Sequence, residues 1–179
     1  GFGQAEEIRE LLVKFKKSGK LVVVYGQGFD EKSYYIATVA DYIGLNPLGS
    51  LEFNGLKAEV LYFKGLFEKL GVEVNVFKAG TYKSAVEPFF LKQMSEANRE
   101  QLTAFLGGIE TCLEDSTAKA RGLSIEKVHA IADSMLIRKA TDAKLQQFVD
   151  LVDYETEFLQ AFKHQQNIDE IKLVNYTIY

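Results

Sequence analysis

The 179-residue chain has one cysteine, two histidines, two prolines and no tryptophan. One cysteine excludes a disulfide within the chain, and Cys112 falls in a helical pattern where we expect a buried small side chain. The few Cys and His residues lack the spacing of metal ligands, so we expect neither a metal nor another cofactor. His129 and His164 lie in charge-rich helical segments and are predicted to be surface residues rather than catalysts.

Long apolar runs and strong basic charge are also missing. No run is long enough to cross a membrane, and no signal peptide is visible. The net charge of −4 argues against a nucleic acid or an anionic membrane as a partner recruited by charge alone. The chain begins at Gly1 and opens directly into a helix, so we interpret it as a piece of a longer protein, which leaves open a membrane anchor or leader in that parent.

The composition is rich enough in apolar residues to build a core. Hydrophobic residues make up 47% of the chain, which includes 13 Phe and 9 Tyr. No repeat and no linker rich in Pro, Gly or Ser interrupts it. We therefore predict one domain over residues 1–179, with a helical extension at about 95–165 that packs onto the first half.

Helical and strand patterns alternate along the first half, with short turns between them. This order predicts an α/β fold with a largely parallel sheet and surrounding helices. The first strand is expected to be buried on both faces, because its apolar residues are continuous. Strands are predicted at 21–25, 43–46, 72–78 and 172–179, with a loop at 26–32 after the first strand and a turn at Asn46-Pro47 after the second. Helices are predicted at 8–15, 33–40, 60–70, 95–121, 124–132, 140–148 and 154–163, with Ser95 and Ser124 as N-caps and Gly19, Gly71 and Gly122 as stops.

The segment at residues 80–90 carries the chemistry that is easiest to interpret. It reads Gly-Thr-Tyr-Lys-Ser-Ala-Val-Glu-Pro-Phe-Phe, with Lys83 between an aromatic residue and a serine. Few residues in this segment are strongly hydrophilic, so we expect Lys83 to be shielded from solvent. Burial penalises charge, and a lysine in apolar surroundings can therefore serve as an uncharged general base. Paired with a serine, such a lysine forms a Ser-Lys dyad for acyl transfer.

This segment resembles the lysine-bearing segment of the signal peptide peptidase A (protease IV) family, in its long two-domain form. Further stretches resemble that family at 45–50, 63–72, 94–100 and 148–150, and the resemblance covers roughly residues 4–165. At Gln147 the family usually has glycine. The resemblance implies a Clp-peptidase/crotonase-like α/β core. It also implies that the chain is the amino-terminal half of a two-domain peptidase.

In the long form of this family the amino-terminal half supplies the lysine and the carboxy-terminal half supplies the serine. The resemblance places the general base on Lys83. The tyrosine pair Tyr34-Tyr35 aligns Glu31 with the nucleophile of the short members, and a glutamate cannot attack as a serine does. Ser33 is expected to be a helix N-cap, with a shifted nucleophile as the alternative. Ser84 is too close to Lys83 in sequence to be its natural partner.

The resemblance further implies what the whole protein does. It implies a serine endopeptidase that degrades cleaved signal peptides, associated with the bacterial inner membrane, although this piece itself is expected to be soluble. The implied partners are the carboxy-terminal domain of the same protein, a signal peptide or other apolar peptide, and further copies in a homo-oligomer. No nucleic acid is expected, and the isolated piece should be inactive.

Two other interpretations remain open. The chain could be a non-catalytic scaffold or oligomerisation domain of the same fold, with a structural lysine. A structural lysine should pair with a carboxylate, for which Glu87 is nearest in sequence, whereas a base should be shielded and lack one. An acyl-CoA-handling crotonase relative would need paired backbone donors and acidic residues that the sequence does not reveal.

Overall fold

The computed structural model describes residues 1–77, 80 and 83–173, and it divides into two compact units. Unit 1 comprises Gly1–Asn54 and Leu113–Tyr179, and unit 2 comprises Gly55–Cys112. The prediction of one domain over residues 1–179 stays a prediction. The elements in chain order are α1 (Phe2–Lys16), β1 (Val23–Phe29), α2 (Glu31–Ala37), β2 (Tyr42–Leu51), α3 (Lys64–Leu70), α4 (Glu87–Phe90), α5 (Glu96–Arg121), α6 (Ile125–Asp133), α7 (Ala140–Leu145), β3 (Leu151–Val152) and α8 (Glu155–Gln166).

Unit 1 is built on a parallel sheet in the order β1-β2-β3. The β1–β2 ladder runs from Val23 opposite Tyr42 to Phe29 opposite Leu51, and β3 pairs with β2 at Gly44. Helices surround this sheet, which confirms the predicted α/β class with a parallel sheet. The central strand carries two completely buried residues, Ile43 and Leu45, whose side chains belong to the hydrophobic core of the unit.

The first two strands are longer than predicted. β1 continues to Phe29 through residues expected to form a loop, and β2 continues to Leu51 through the Asn46-Pro47 turn signal. The pairing register slips here: Gly26 lies opposite Leu45, but Gly28 lies opposite Ser50. Such a bulge tolerates a proline, which has no N–H for the ladder. The Asn-Pro signal therefore marks an irregularity inside the strand rather than its end.

Two other strand predictions fail or fall outside the described residues. Residues 72–77 have no regular structure, so the strand predicted at 72–78 is wrong there, and Lys78 lies outside the described residues. Residues 172 and 173 are also irregular, and the rest of the predicted closing strand, 174–179, is not described. Alternating apolar residues make a strand only where a partner is present to complete the ladder.

The predicted burial of β1 on both faces is wrong. Val23–Tyr25 are only half-buried, because β1 has a sheet neighbour on one side within the described residues.

Most predicted helices are confirmed, with small shifts at their ends. Ser124 accepts a hydrogen bond from the N–H of Lys127, and Ser95 accepts one from the N–H of Asn98 at 3.2 Å, so both predicted caps are present. Gly71 and Gly122 take positive φ angles of 67° and 63° at the predicted stops. Helix α3 begins at Lys64, four residues later than the predicted start.

Surface predictions had mixed outcomes. His129 and His164 are exposed, as predicted, but Cys112 is exposed as well, so its predicted burial is wrong. Cys112 lies in α5, a 26-residue helix whose sequence is polar over much of its length, and helical spacing alone did not identify its buried face. None of the helices in the described residues has both the length and the apolar character needed to span a membrane.

Helix α7 ends three residues before its predicted end because Gln147 adopts a left-handed conformation. Its φ is +67°, and the N–H of Phe148 donates to the carbonyl of Ala143 at 2.8 Å while the N–H of Gln147 donates to Lys144 at 3.0 Å. This pair of bonds is a Schellman motif, whose left-handed position favours glycine. The structure thus explains why glycine is usual at this position in the family that the sequence resembles.

We expect Gln147→Gly to be more stable than Gln147→Ala by about 1 kcal/mol, because only alanine has a Cβ that is strained at positive φ. Both variants lose the side-chain amide that accepts from Lys127, so their difference isolates the backbone. The free energy of unfolding in urea measures it. Equal stabilities would show that Gln147 is not strained in solution.

Candidate active site

Lys83 lies in unit 2, in irregular backbone shortly before α4. Gly80 precedes it with a φ of +99°, and Lys78, Ala79, Thr81 and Tyr82 lie outside the described residues. After it the chain turns at Ala85–Val86, where the N–H of Glu87 donates to the carbonyl of Ser84 at 2.9 Å. Lys83 is therefore followed by a short hydrogen-bonded turn that leads into α4.

The surroundings of Lys83 differ from the prediction in one respect. The side chain is exposed, so the part of the chain that the structure describes does not provide the expected shielding. The ion pairs found within residues 1–77, 80 and 83–173 do not include Lys83. The exposure of Lys83 differs from the shielding that a general base needs. The absence of Lys83 from these ion pairs differs from the carboxylate pairing expected of a structural lysine.

The position aligned with a nucleophile is the first residue of α2, in unit 1. Glu31 is half-buried there, and its Oε1 lies 3.5 Å from the backbone N–H of Asn54, a long hydrogen bond. Asp30 precedes it as the N-cap, and Lys32 follows it as an exposed residue. The start of α2 thus offers a carboxylate where attack on a carbonyl would require a hydroxyl.

The Ser33 hydroxyl forms hydrogen bonds with Asp30 at the beginning of α2. The N–H of Ser33 donates to Asp30 Oδ1 at 2.7 Å, and Ser33 Oγ accepts from the N–H of Asp30 at 2.9 Å. This is a capping box in which Asp30 is the N-cap, so the prediction that Ser33 is itself the N-cap is wrong. Donation by the Ser33 hydroxyl and N–H holds the pKa of the Asp30 carboxyl below its usual value.

The tyrosine pair that fixes the alignment has two structural roles. Tyr34 is completely buried, its hydroxyl donates to the carbonyl of Phe148 at 2.7 Å, and its ring stacks on the Phe148 ring with centroids 5.3 Å apart. Burial raises the pKa of Tyr34, which keeps this donor protonated. The Tyr35 ring lies under the Arg9 guanidinium at 4.7 Å, and the Tyr35 carbonyl accepts from Arg9 at 2.6 Å. The pair joins α2 to α1 and to the 148–150 segment.

The Phe-Val-Asp stretch at 148–150 connects the end of α5 to the central strand β2. Asp150 accepts from Arg121 at 2.7 Å and 3.2 Å, a bidentate pair at the end of α5. It also accepts from the N–H of Ile43 at 2.7 Å, and its own N–H donates to the Ile43 carbonyl at 2.8 Å. The sequence predicted none of these partners, because residues 43, 121 and 150 are far apart along the chain.

Sequence reasoning also missed the buried carboxylate of Glu87. Its relative exposure is 0%, and it accepts hydrogen bonds from Ser95 and Asn98 at the beginning of α5. The available signal was a glutamate before a proline, inside an apolar segment, followed by a helix cap eight residues later. This carboxylate lies in unit 2, four residues after Lys83.

Unit 2 also presents an apolar face. The Phe89 ring lies 6.1 Å from that of Phe63 and 6.5 Å from that of Phe67, with near-parallel planes. A shallow depression of about 250 Å³ beside it is lined in part by Phe67, Phe89, Phe90, Val72 and Val74. Apolar side chains line much of the depression.

In the described residues no group of three His, Cys, Asp or Glu side chains could hold a metal ion.

Comparison with known proteins identifies related sequences over most of the chain. Residues 14–169 match the model of peptidase family S49. Protease 4 of Salmonella typhi is 42% identical over 100 residues, which cover 56% of this chain and 16% of that protein. The chloroplastic serine protease SPPA of Arabidopsis thaliana is 30% identical over 174 residues, covering 96% of this chain and 25% of that protein.

A putative protease of Methanocaldococcus jannaschii is 31% identical over 173 residues, covering 96% of this chain and 53% of that protein. The chain thus spans about half or less of the length of these relatives. The family match is consistent with the Clp-peptidase-like fold implied by the resemblance, and the small parallel sheet with surrounding helices agrees with it.

We expect Ser33→Ala to raise the pKa of Asp30, because it removes the hydroxyl that donates to the carboxylate. Asp30 is solvent-exposed, so the loss of stability near pH 7 should be small, about 0.5 kcal/mol. The lowered pKa of Asp30 contributes to the stability of the wild type, and this contribution is fully present above about pH 4. It disappears as the pH falls through the pKa of folded Asp30. The free energies of unfolding of wild type and Ser33→Ala should therefore differ less in acid than at pH 7.

An NMR titration of the Asp30 carboxyl and urea unfolding at pH 7 and pH 3 measure both effects. Ser33→Thr, which keeps a hydroxyl, is the matched control. An unchanged Asp30 pKa in Ser33→Ala would mean that the capping box is not formed in solution.

Proposed function

The chain belongs to peptidase family S49, and we propose that it is the amino-terminal domain of a serine endopeptidase that degrades cleaved signal peptides. Lys83 is the general base of a Ser-Lys dyad, and the nucleophilic serine and oxyanion donors belong to a carboxy-terminal domain of the same protein. The parent protein is associated with the bacterial inner membrane and assembles as a homo-oligomer.

The observation that carries the proposal is a lysine without a nucleophile. Residues 80–90 resemble the lysine-bearing segment of the family almost throughout, whereas Glu31 occupies the position aligned with its serine. Ser33, two residues after Glu31, is held in the capping box with Asp30. The match also covers only 16% of the Salmonella protein and 25% of the Arabidopsis protein, and the latter is named a serine protease.

The proposed chemistry needs an uncharged Nζ on Lys83. The serine oxygen attacks the peptide carbonyl carbon while its proton passes to this Nζ, and the same proton is then given to the leaving amine. Because Lys83 is exposed in the chain, the apolar surroundings that favour an uncharged amine have to come from the carboxy-terminal domain or a second copy. The apolar face around Phe63, Phe67 and Phe89 supports an apolar peptide as the substrate.

The exposure of Lys83 also favours a second candidate, a non-catalytic scaffold domain of the same fold. In that case Lys83 acts only as a surface cation, and arginine should replace it. In the dyad, arginine must fail, because a guanidinium is always protonated and cannot accept a proton.

Reconstitution with the carboxy-terminal domain tests the proposal. We expect cleavage of a short apolar peptide only when the two parts are mixed or joined, and a loss of about 10²- to 10⁴-fold in kcat with both Lys83→Ala and Lys83→Arg. The matched control is Lys92→Ala, a surface lysine of unit 2 that pairs with Glu68. Full activity in Lys83→Arg would favour the scaffold, and stoichiometric labelling of the isolated chain by a fluorophosphonate would contradict the assignment of the serine to another domain.

A further inference from the structure

We propose that Glu87 is a positioning residue whose buried carboxylate anchors the segment bearing Lys83 to the first turn of α5. The proposal rests on the proposed function, because it assigns Glu87 a task only if Lys83 has one. It names a residue that touches neither substrate nor the reacting atoms and acts through the backbone that follows Lys83.

The anchor is a set of hydrogen bonds that converge on one carboxylate. Ser95 Oγ donates to Glu87 Oε1 at 2.7 Å, and the N–H of Ser95 and Nδ2 of Asn98 donate to Oε2 at 3.3 Å and 3.1 Å. Ser95 is at the same time the N-cap of α5, because its Oγ accepts from the N–H of Asn98 at 3.2 Å. An ionised carboxylate only accepts hydrogen bonds, so it suits a position surrounded by donors.

Burial makes this set costly to break. Glu87 is completely buried and Asn98 is 9% exposed, so neither can exchange its protein partner freely for water. Loss of the carboxylate would leave the buried Asn98 amide and the partly buried Ser95 N–H without this acceptor. The cost falls on the junction between α4 and α5, which is where the Lys83 segment joins the long helix.

The same segment is attached at two further points in unit 2. The carbonyl of Pro88 accepts from the N–H of Phe63 at 2.7 Å, and Phe89 stacks on Phe63 and Phe67. Between the anchor and Lys83 the chain is held by the bond from the N–H of Glu87 to the Ser84 carbonyl at 2.9 Å. Only three residues separate Glu87 from Lys83, so a shift of this carboxylate displaces the lysine.

Such a displacement should reduce catalysis without weakening substrate binding. A base contributes in the transition state, and a shift of about 1 Å can cost on the order of a hundredfold in rate. We expect kcat to fall while KM is unchanged. A merely structural defect would instead lower the amount of folded protein and leave kcat per folded molecule as it was.

Three variants and a control isolate the anchor. Glu87→Met keeps the length of the side chain but removes the acceptor, and Asn98→Asp places a second carboxylate against the first. In Glu87→Gln/Asn98→Asp the donor and acceptor are exchanged, so Gln Nε2 can donate to the new aspartate while its oxygen still accepts from Ser95. The control, Glu73→Met, removes an exposed glutamate from the same unit.

Hydrogen exchange on the isolated chain tests the anchor without any activity. In Glu87→Met and Asn98→Asp, amides in peptides covering 84–91 and Phe63 should exchange about tenfold faster or more, while those of β2 keep their wild-type protection. The double variant should regain protection, and Glu73→Met should never lose it. Unchanged exchange at 84–91 in Glu87→Met would overturn the proposal.

Kinetics on the chain reconstituted with the carboxy-terminal domain tests the consequence for Lys83. We expect kcat to fall about a hundredfold in the two single variants, with KM unchanged, and to recover in the double variant. Faster exchange without a change in kcat would overturn the positioning role. Full activity of Lys83→Ala would instead refute the proposed function, and the exchange data would still decide whether Glu87 anchors the segment.

Discussion

The arrangement of unit 1 depends on the carboxylate of Asp150. It accepts two bonds from Arg121 at the end of α5 and one from the N–H of Ile43 in the central strand, so one side chain joins a helix to the sheet. The Arg121 side chain is only 11% exposed, which distinguishes this pair from a solvated surface salt bridge. Two residues earlier, the Phe148 carbonyl accepts from the buried Tyr34 hydroxyl. These contacts give a structural reason for the tyrosine pair and the 148–150 segment, both of which help to carry the family resemblance.

Another carboxylate, the completely buried Glu87, has a comparable task in unit 2. It connects the segment that follows Lys83 to the beginning of α5, where Ser95 serves both as its donor and as the helix cap. The backbone after Lys83 is thus fixed by the hydrogen bonds of Glu87, while the Lys83 side chain is exposed to solvent. A domain that contributes a base to a site completed elsewhere needs this combination of a fixed backbone and an accessible amine. The exposure of Lys83 is compatible with that use, although the sequence predicted a shielded lysine.

Several local sequence signals marked a real structural feature, but the element predicted from them was wrong. The Asn-Pro dipeptide at 46–47 marked a bulge within β2 rather than its end, because a proline without an N–H is tolerated where the ladder is already interrupted. The serine before the tyrosine pair takes part in a cap, but Asp30 is the cap and Ser33 its N3 partner. Among the described residues, no partner strand pairs with the alternating residues 72–77. The sequence marked Gln147 only as a departure from the family's glycine, and its φ of +67° gives the physical meaning of that departure.

The sequence alone determined the α/β class, most of the helices with several of their caps, and the family, because these depend on local periodicity, capping residues and contiguous motifs. It also singled out Lys83, since the segment around it can be recognised without knowledge of the fold. Only the tertiary structure decided which polar groups meet: Asp150 with Arg121 and Ile43, Tyr34 with Phe148, and Glu87 with Ser95 and Asn98. In three of these contacts the two residues are separated by 29, 107 and 114 positions along the sequence, and no local pattern specifies such pairs. Burial of Glu87 and exposure of Lys83 follow from packing, which depends on where the surrounding elements lie rather than on neighbouring sequence.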